Sequence, residues 1–375
     1  MKDSRVQVVG PVCFDLVFSG LSSPPLPGTE VRASDLGVSP GGTANVAIAL
    51  ARLGLDVALS AVFSEDPFGR YLWSSLSDEG VDLTYSVEVG GWSTPVTSSV
   101  AVGVERSMVS YVEAPPLAVA ELLPAGYRAD ALVISLGEVE AGWLPALHRI
   151  APLVFADVAW DDDRLGSSEL LGRLAAVDVF LPNAAEALAA TNCTTLFDAA
   201  TNLSRRGPLV VVKNGGTGSA AMCPGSDSLT EEPALAVDAR DTTGAGDVFD
   251  AGFVYGSLAG WPMAWRLRFA NLCASESVKL MGGSLAAPCW RDLAAAYRAM
   301  PAGELRTSYR FLETVLSDAP TRRDCRRSMP SLAPPLAPPF GLGVPGDAGV
   351  LGAAAAPGEA GVPGARKGTG TGPKA

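Results

Sequence analysis

Apolar residues recur along this chain in two rhythms. Short apolar runs at 6–9, 58–62, 132–136, 153–156, 177–181 and 210–212 read as buried strands. Between them the spacing becomes helical. Val46, Ala49, Leu50 and Leu53 recur on one helix face, with Gly54 as the stop. A second helix follows Glu65-Asp66-Pro67-Phe68-Gly69 as far as Gly80, and a third runs through Ile150. Buried strands alternating with helices predict parallel βαβ units. Two stretches break this rhythm. Residues 14–40 are rich in Ser, Pro and Gly with a short alternation at 31–38, and residues 87–112 alternate through Val100, Val102, Val104, Val109 and Tyr111. Half-exposed strands alternate in this way, so the two pieces together predict a small β appendage. Residues 251–265 read as a core helix with Gly and Pro breaks. From 319 onward the composition turns to Arg pairs, Pro-Pro-Leu-Ala-Pro-Pro and Gly/Ala/Pro repeats. Such a segment cannot bury enough apolar area to offset chain entropy. The organisation expected is one domain over 1–318 and a disordered Pro/Gly/Ala-rich tail over 319–375.

The densest chemistry lies in residues 240–256. Asp241-Thr242-Thr243-Gly244-Ala245-Gly246-Asp247 is small and polar, and an apolar helix follows. A loop that turns into a helix there presents unpaired N–H groups and a positive dipole end, which attract phosphate. Glycines let the phosphate reach the backbone. Asp247 falls in the first turn, a poor phosphate ligand but a suitable base for an attacking hydroxyl. The plain alternative is a loop with an ordinary N-cap.

Other polar groups stand at strand ends. Asp15 follows the first strand and Asp157 ends its own, so both face one sheet edge, where substrates sit in open α/β folds. Gly41 and Gly42 precede Asn45, whose amide can donate to and accept from hydroxyls. Asn183 and Glu186 share a helix face, either ordering water around Mg2+ or forming a capping box. Lys213 ends a strand before Asn214, Gly215 and Gly218, and reads equally as a phosphate contact or a surface residue. That loop is neither a Walker A loop nor a dinucleotide fingerprint. Asn271 lies on a helix ahead of Gly282-Gly283-Ser284.

The run from Asp241 to Phe249 resembles the C-terminal signature of the ribokinase-like (PfkB-type) carbohydrate kinases, Asp-Thr-x-Gly-Ala-Gly-Asp-x-Phe. The resemblance extends over residues 6–293, with several motifs in order. It implies a ribokinase-like three-layer α/β/α sandwich with a mostly parallel central sheet and a small β-sheet lid, from 14–40 and 87–112, through which some members form homodimers. It makes Gly244, Ala245 and Gly246 the anion hole and Asp247 the catalytic base. Asp15, Gly41, Gly42, Asn45 and Asp157 become substrate-binding. Asn183, Lys213, Asn214, Gly215, Gly218, Thr242, Thr243 and Asn271 fall on the nucleotide side, Glu186 serves Mg2+, and Gly282-Gly283-Ser284 resembles adenine-pocket segments. Two departures stand out: one residue fewer separates the glycines from Asn45, and 158–164 lacks the usual Asp-x-Asn-x-Arg pattern. The implied reaction transfers phosphate from ATP with Mg2+ to a hydroxyl, expected to be a CH2OH, of a small sugar. A nucleoside kinase is the alternative, with Trp92 or Trp160 stacking the base, and a non-catalytic sugar-binding regulator is a further one.

Composition trims the rivals. The chain has 375 residues, 48% of them hydrophobic, and a net charge of −12, which argues against a nucleic-acid partner. A single histidine, His148, reads as a surface or packing residue and removes serine-hydrolase and His-rich metal mechanisms. Cys13, Cys193, Cys223, Cys273, Cys289 and Cys325 contain no C-x-x-C pair and read as reduced thiols in a cytoplasmic protein. No signal-peptide pattern opens the chain, and no apolar run reaches the ~18 residues that a membrane span needs.

Overall fold

Val6, Val8 and Val9 are almost wholly buried because the first strand lies inside a sheet covered on both faces. The computed structural model describes residues 4–102, 105–138, 141–159 and 164–318. In chain order the strands are β1 (Arg5–Val9), β2 (Val12–Ser19), β3 (Asp35–Gly42), β4 (Asp56–Ser60), β5 (Val62–Ser64), β6 (Val87–Val89) and β7 (Val96–Val102). They continue with β8 (Glu105–Tyr111), β9 (Ala131–Ser135), β10 (Val154–Asp157), β11 (Val179–Phe180), β12 (Leu209–Lys213), β13 (Ser219–Met222) and β14 (Thr230–Glu232). The central sheet has eight strands in the order β14-β13-β12-β11-β10-β9-β1-β4. From β4 to β12 every pairing is parallel, and β13 and β14 add an antiparallel edge. One hydrophobic core lies on each face of this sheet. This is the ribokinase fold expected from the sequence.

The helices are α1 (Thr43–Arg52), α2 (Pro67–Asp78), α3 (Leu147–Ile150), α4 (Ser168–Arg173), α5 (Ala184–Thr191), α6 (Leu196–Ser204) and α7 (Ala245–Leu258). After them come α8 (Met263–Ser277), α9 (Trp290–Ala299), α10 (Glu304–Ser308) and α11 (Leu312–Asp318). The central one is α7. It is apolar nearly all round, with Val248, Phe249, Ala251, Phe253 and Val254 buried, as suits a helix enclosed by neighbours. Gly252 permits the close crossing of α8: a Cβ there would stand 2.8 Å from the Ala270 Cα.

The two non-core pieces do form one small sheet, in the order β3-β2-β7-β8. It reaches deeper than expected, since Phe14, Val17 and Val38 are buried beneath it. Asp15 therefore sits within the lid strand β2, and not in a turn after β1. The helix expected before Ile150 is mostly 3-10 turns (Ala141–Ala146) with Pro145 inside, followed by the single turn of α3. Pro145 cannot donate the amide that a longer α-helix would need. Strand β13 is Ser-Ala-Ala-Met, small residues without the branched side chains that mark a strand, and β14 is Thr-Glu-Glu, so neither was read from the pattern. Cys289 is disulfide-bonded, which corrects the all-reduced expectation, while Cys13, Cys193, Cys223 and Cys273 form no disulfide. His148 pairs with Asp178 at the surface. No helix among the described residues is long and apolar enough to cross a membrane. Trp160, the acidic run 161–163, Cys325 and the expected tail lie outside the described residues.

Candidate active site

The C-terminal ends of β1, β9, β10 and β12 form one rim of the parallel sheet, where open α/β folds place their ligands. Helix α7 begins at this rim. Gly244 is its N-cap with φ 68, a left-handed conformation that glycine adopts without a Cβ penalty. No side chain caps the helix. The Ala245 amide closes a turn onto Thr242 O at 3.3 Å. The Gly244, Gly246 and Asp247 amides have no hydrogen-bond partner among the described residues. Of the amides at this start, those of Gly244, Gly246 and Asp247 are therefore open among the described residues, while that of Ala245 closes the turn.

Asp247 lies in the first turn of α7. Its Oδ2 accepts a hydrogen bond of 2.9 Å from Asn45 Nδ2, from the first turn of α1. The other end of Asn45 accepts from the Ser284 amide at 3.1 Å. Asn45 is buried and clamped at both ends, so it positions Asp247, where the sequence suggested contact with substrate hydroxyls. Withdrawal from water, and then the negative charge of Asp157, push the Asp247 carboxyl up to about 7; Lys213 and Asn45 pull it the other way.

Gly41 and Gly42 end β3. A Cβ on Gly41 would strike the Asp15 carboxylate, so Asp15 lies directly over this backbone. Gly42 has φ 63, and a Cβ there would meet Pro11 O at 2.6 Å. Asp157 ends β10, its Oδ1 accepting from the Val158 amide and its Oδ2 from Lys213 Nζ at 3.0 Å. Lys213 also contacts both carboxylate oxygens of Asp250, at 3.1 and 2.9 Å. It is neither a surface residue nor free to be the expected phosphate contact. Asp250 was not singled out in the sequence, although an aspartate one turn after Asp247 in an otherwise apolar helix was a visible anomaly.

The nucleotide-side residues divide. Asn183 and Glu186 complete a reciprocal capping box at the start of α5, the structural alternative read from the sequence. Burial raises Glu186 to about 7. Asn271 Nδ2 donates to Glu232 O and Pro233 O, bracing β14 against α8. Gly218 is required by packing, since a Cβ would stand 2.2 to 2.8 Å from the Glu232–Ala234 backbone. Asn214 and Gly215 open a 3-10 turn over the rim. Thr242 is exposed beside Gly244. The Thr243 amide donates to Asp241 Oδ1 while Asp241 Oδ2 accepts from Gly282, tying two glycine loops together. Gly283 packs against Gly244, and Ser284 holds Asn45, so this segment supports the base. Trp92 is buried, with its ring N–H bonded to Glu113 O, and it presents no free face for stacking.

The free amides at the start of α7, together with the positive end of its dipole, fit a nucleotide phosphate. Glu186 fits a water-mediated Mg2+ role through Oε1, which makes no hydrogen bond among the described residues.

Comparison with known proteins identifies the family. The pfkB family carbohydrate kinase model matches residues 3–289. A fructokinase of Klebsiella pneumoniae is 28% identical over 68% of this chain and 90% of its own length. A nucleoside kinase of Methanothermobacter thermautotrophicus is 27% identical over 74% of this chain and 90% of its own. The Arabidopsis thaliana ribokinase complexed with ribose and ATP superimposes with a TM-score of 0.64 at 23% identity, covering 78% of this chain and 98% of that one. The chain belongs to the pfkB family of carbohydrate kinases and is a phosphotransferase with an alcohol group as acceptor.

Proposed function

We propose that the protein transfers the γ-phosphate of ATP to a CH2OH of a small sugar, with Asp247 as the base. The observation that carries this reading is the pairing of a carboxyl raised to about 7 with unpartnered amides in one helix turn. The acceptor lies over Gly41 and Gly42, its hydroxyls bonded to the Asp15 and Asp157 carboxylates, and its reacting hydroxyl faces Asp247. The acceptor oxygen forms a bond to the γ-phosphorus as the bond from that phosphorus to the β–γ bridging oxygen breaks. The acceptor proton passes to Asp247. ADP leaves, and the developing equatorial charge is met by the amides of Gly244, Gly246 and Asp247. Mg2+ supplies charge neutralisation on the phosphates when bound, on the Glu186 side. Asn214, Gly215, Thr242 and Thr243 flank the nucleotide.

The reading accords with the fructokinase relative. A nucleoside acceptor loses Trp92, one of the two stacking partners expected for it, and the other, Trp160, lies outside the described residues. Exposed Met108, Val109 and Tyr111 on β8 and the adjoining Val112 suit a homodimer formed through the lid.

The test is ATP-dependent phosphorylation across pentoses, hexoses, sugar acids and nucleosides, with Asp247→Asn in parallel. Turnover of a neutral sugar, falling roughly 10²–10⁴-fold in the variant, is the expected result. Unchanged turnover removes Asp247 from its role, and preference for a nucleoside replaces the acceptor. Because the base must be ionised and its pKa is raised to about 7, kcat/KM should fall as pH drops through 7.

A further inference from the structure

We propose that Lys213 is a positioning residue, the internal counter-ion of the acidic site, whose ammonium is held by Asp157 and Asp250 and keeps the neighbouring Asp247 carboxylate available as a base. The proposal rests on the phosphoryl-transfer reading above.

Asp157, Asp247 and Asp250 each bring a carboxylate oxygen within 4.8 Å of the others. Three anions cannot stay ionised so close together without a cation. Such a cluster has the spacing that a metal ion could use, but here the chain's own ammonium stands among the carboxylates. The backbone fixes its reach: β12 ends at Lys213, whose amide donates to Pro182 O, and the side chain extends under the first turns of α7. Asp250 is 3% exposed and Lys213 10%, so both partners are largely withdrawn from water. The ammonium has three N–H donors, and its contacts to Asp157 Oδ2, Asp250 Oδ1 and Asp250 Oδ2 account for them. None is left for a phosphate.

The groups that act on Asp247 come from every element around it. They are Asn45 on α1, Asp15 and Cys13 on β2, Asp157 on β10, Lys213 on β12 and Asp250 on α7, with Glu186 on α5 beyond Asp157 and Lys213. Burial and the carboxylates favour the protonated base, and Lys213 and Asn45 oppose them. Removing Lys213 therefore makes Asp247 hold its proton to higher pH. Replacing Asp250 by Asn does the reverse, because the ammonium that Asp250 holds is released toward Asp247.

The experiment compares pH profiles of kcat/KM for the wild-type protein, Lys213→Met and Asp250→Asn. The acidic limb should rise by about one pH unit or more in Lys213→Met and fall in Asp250→Asn. KM for ATP should change less than about threefold, since no contact to phosphate is lost. In Lys213→Ala, propylammonium, which replaces the missing side-chain atoms, should restore turnover in a concentration-dependent way. Limbs that stay in place, or move in the same direction in both variants, overturn the proposal. So does a large rise in KM for ATP with an unmoved limb, which makes Lys213 a phosphate contact. If Lys213→Met fails to fold, the downward shift in Asp250→Asn still decides. Silence of the wild-type protein on every acceptor counts against the kinase reading alone. A 13C carboxyl NMR titration of Asp247 in the same proteins then reads the opposite shifts without turnover, and their absence overturns the proposal.

Discussion

Helices α5 and α7 both start at the C-terminal rim of the sheet, and both starts resemble functional motifs. They resolve their unpaired amides in opposite ways. At α5, Asn183 Oδ1 accepts from the Glu186 amide, and Glu186 Oε2 accepts from the Asn183 amide. That end is closed by its own side chains. At α7 the cap is a glycine with no side chain to offer, and three amides are left open. An open end binds anions because nothing internal competes for its donors, whereas a closed end has already spent them. Motif spacing alone does not separate the two cases. The inventory of amide partners does.

The largest effect should come from disturbing the open end. Gly244→Ala forces a Cβ residue to φ 68 and brings that Cβ within 3.3 Å of the Gly283 carbonyl carbon and 3.4 Å of Asn45. The left-handed conformation alone costs about 1–2 kcal/mol. A displaced turn also misaims the amides, and losing one such donor typically costs roughly 10²–10³ in kcat. Steady-state kinetics beside thermal melts will show whether turnover falls further than stability. A loss of stability with kcat intact would mean that the turn serves only the fold.

Asn45→Ala should have a middling effect. It removes the hydrogen bond to Asp247 and leaves the buried Ser284 amide without its partner, costing about 1–3 kcal/mol of stability. Because Asn45 lowers the Asp247 pKa, the acidic limb of the rate profile should move to higher pH. A stable variant with an unmoved limb would show that Asn45 supports the glycine loop and not the base.

The same contrast explains what could be read from the chain. Parallel strands announced themselves because both faces are buried, leaving uninterrupted runs such as Val210-Val211-Val212. The α7 turn was legible because its chemistry is local: Thr242 to Asp247 are consecutive. Long-range partnerships were not legible. Asn45 meets Asp247 across 202 positions, and Lys213 meets Asp157 across 56. Before those contacts are known, an amide looks like a substrate ligand and a lysine like a phosphate ligand. The contacts of Asn271 were as hard to foresee, since its backbone partners are Glu232, at the end of a strand of 3 residues, and Pro233 just beyond it. Asp250 was missed because one carboxylate in an apolar helix has no meaning until its cation is placed.

The smallest effect should come from the closed end. Asn183→Ala removes a cap whose two hydrogen bonds, 2.9 and 2.7 Å, lie within α5 and its N-cap. Loss of an N-cap costs about 1 kcal/mol, so the melting temperature should fall by a few degrees. Turnover at saturating ATP and Mg2+ should stay within about threefold of wild type, because the one amide that loses its acceptor, that of Glu186, lies outside the amide set at the start of α7. Glu186 complicates this expectation. Once the Asn183 side chain is gone, the Glu186 amide loses its acceptor, but the Glu186 carboxylate keeps its hydrogen bond from the residue 183 amide. Any Mg2+ role for Glu186 should therefore survive. If the Mg2+ concentration required for half-maximal rate instead rises tenfold or more, the capping box is also the scaffold of the metal side, and the division between an open and a closed helix start fails at that point.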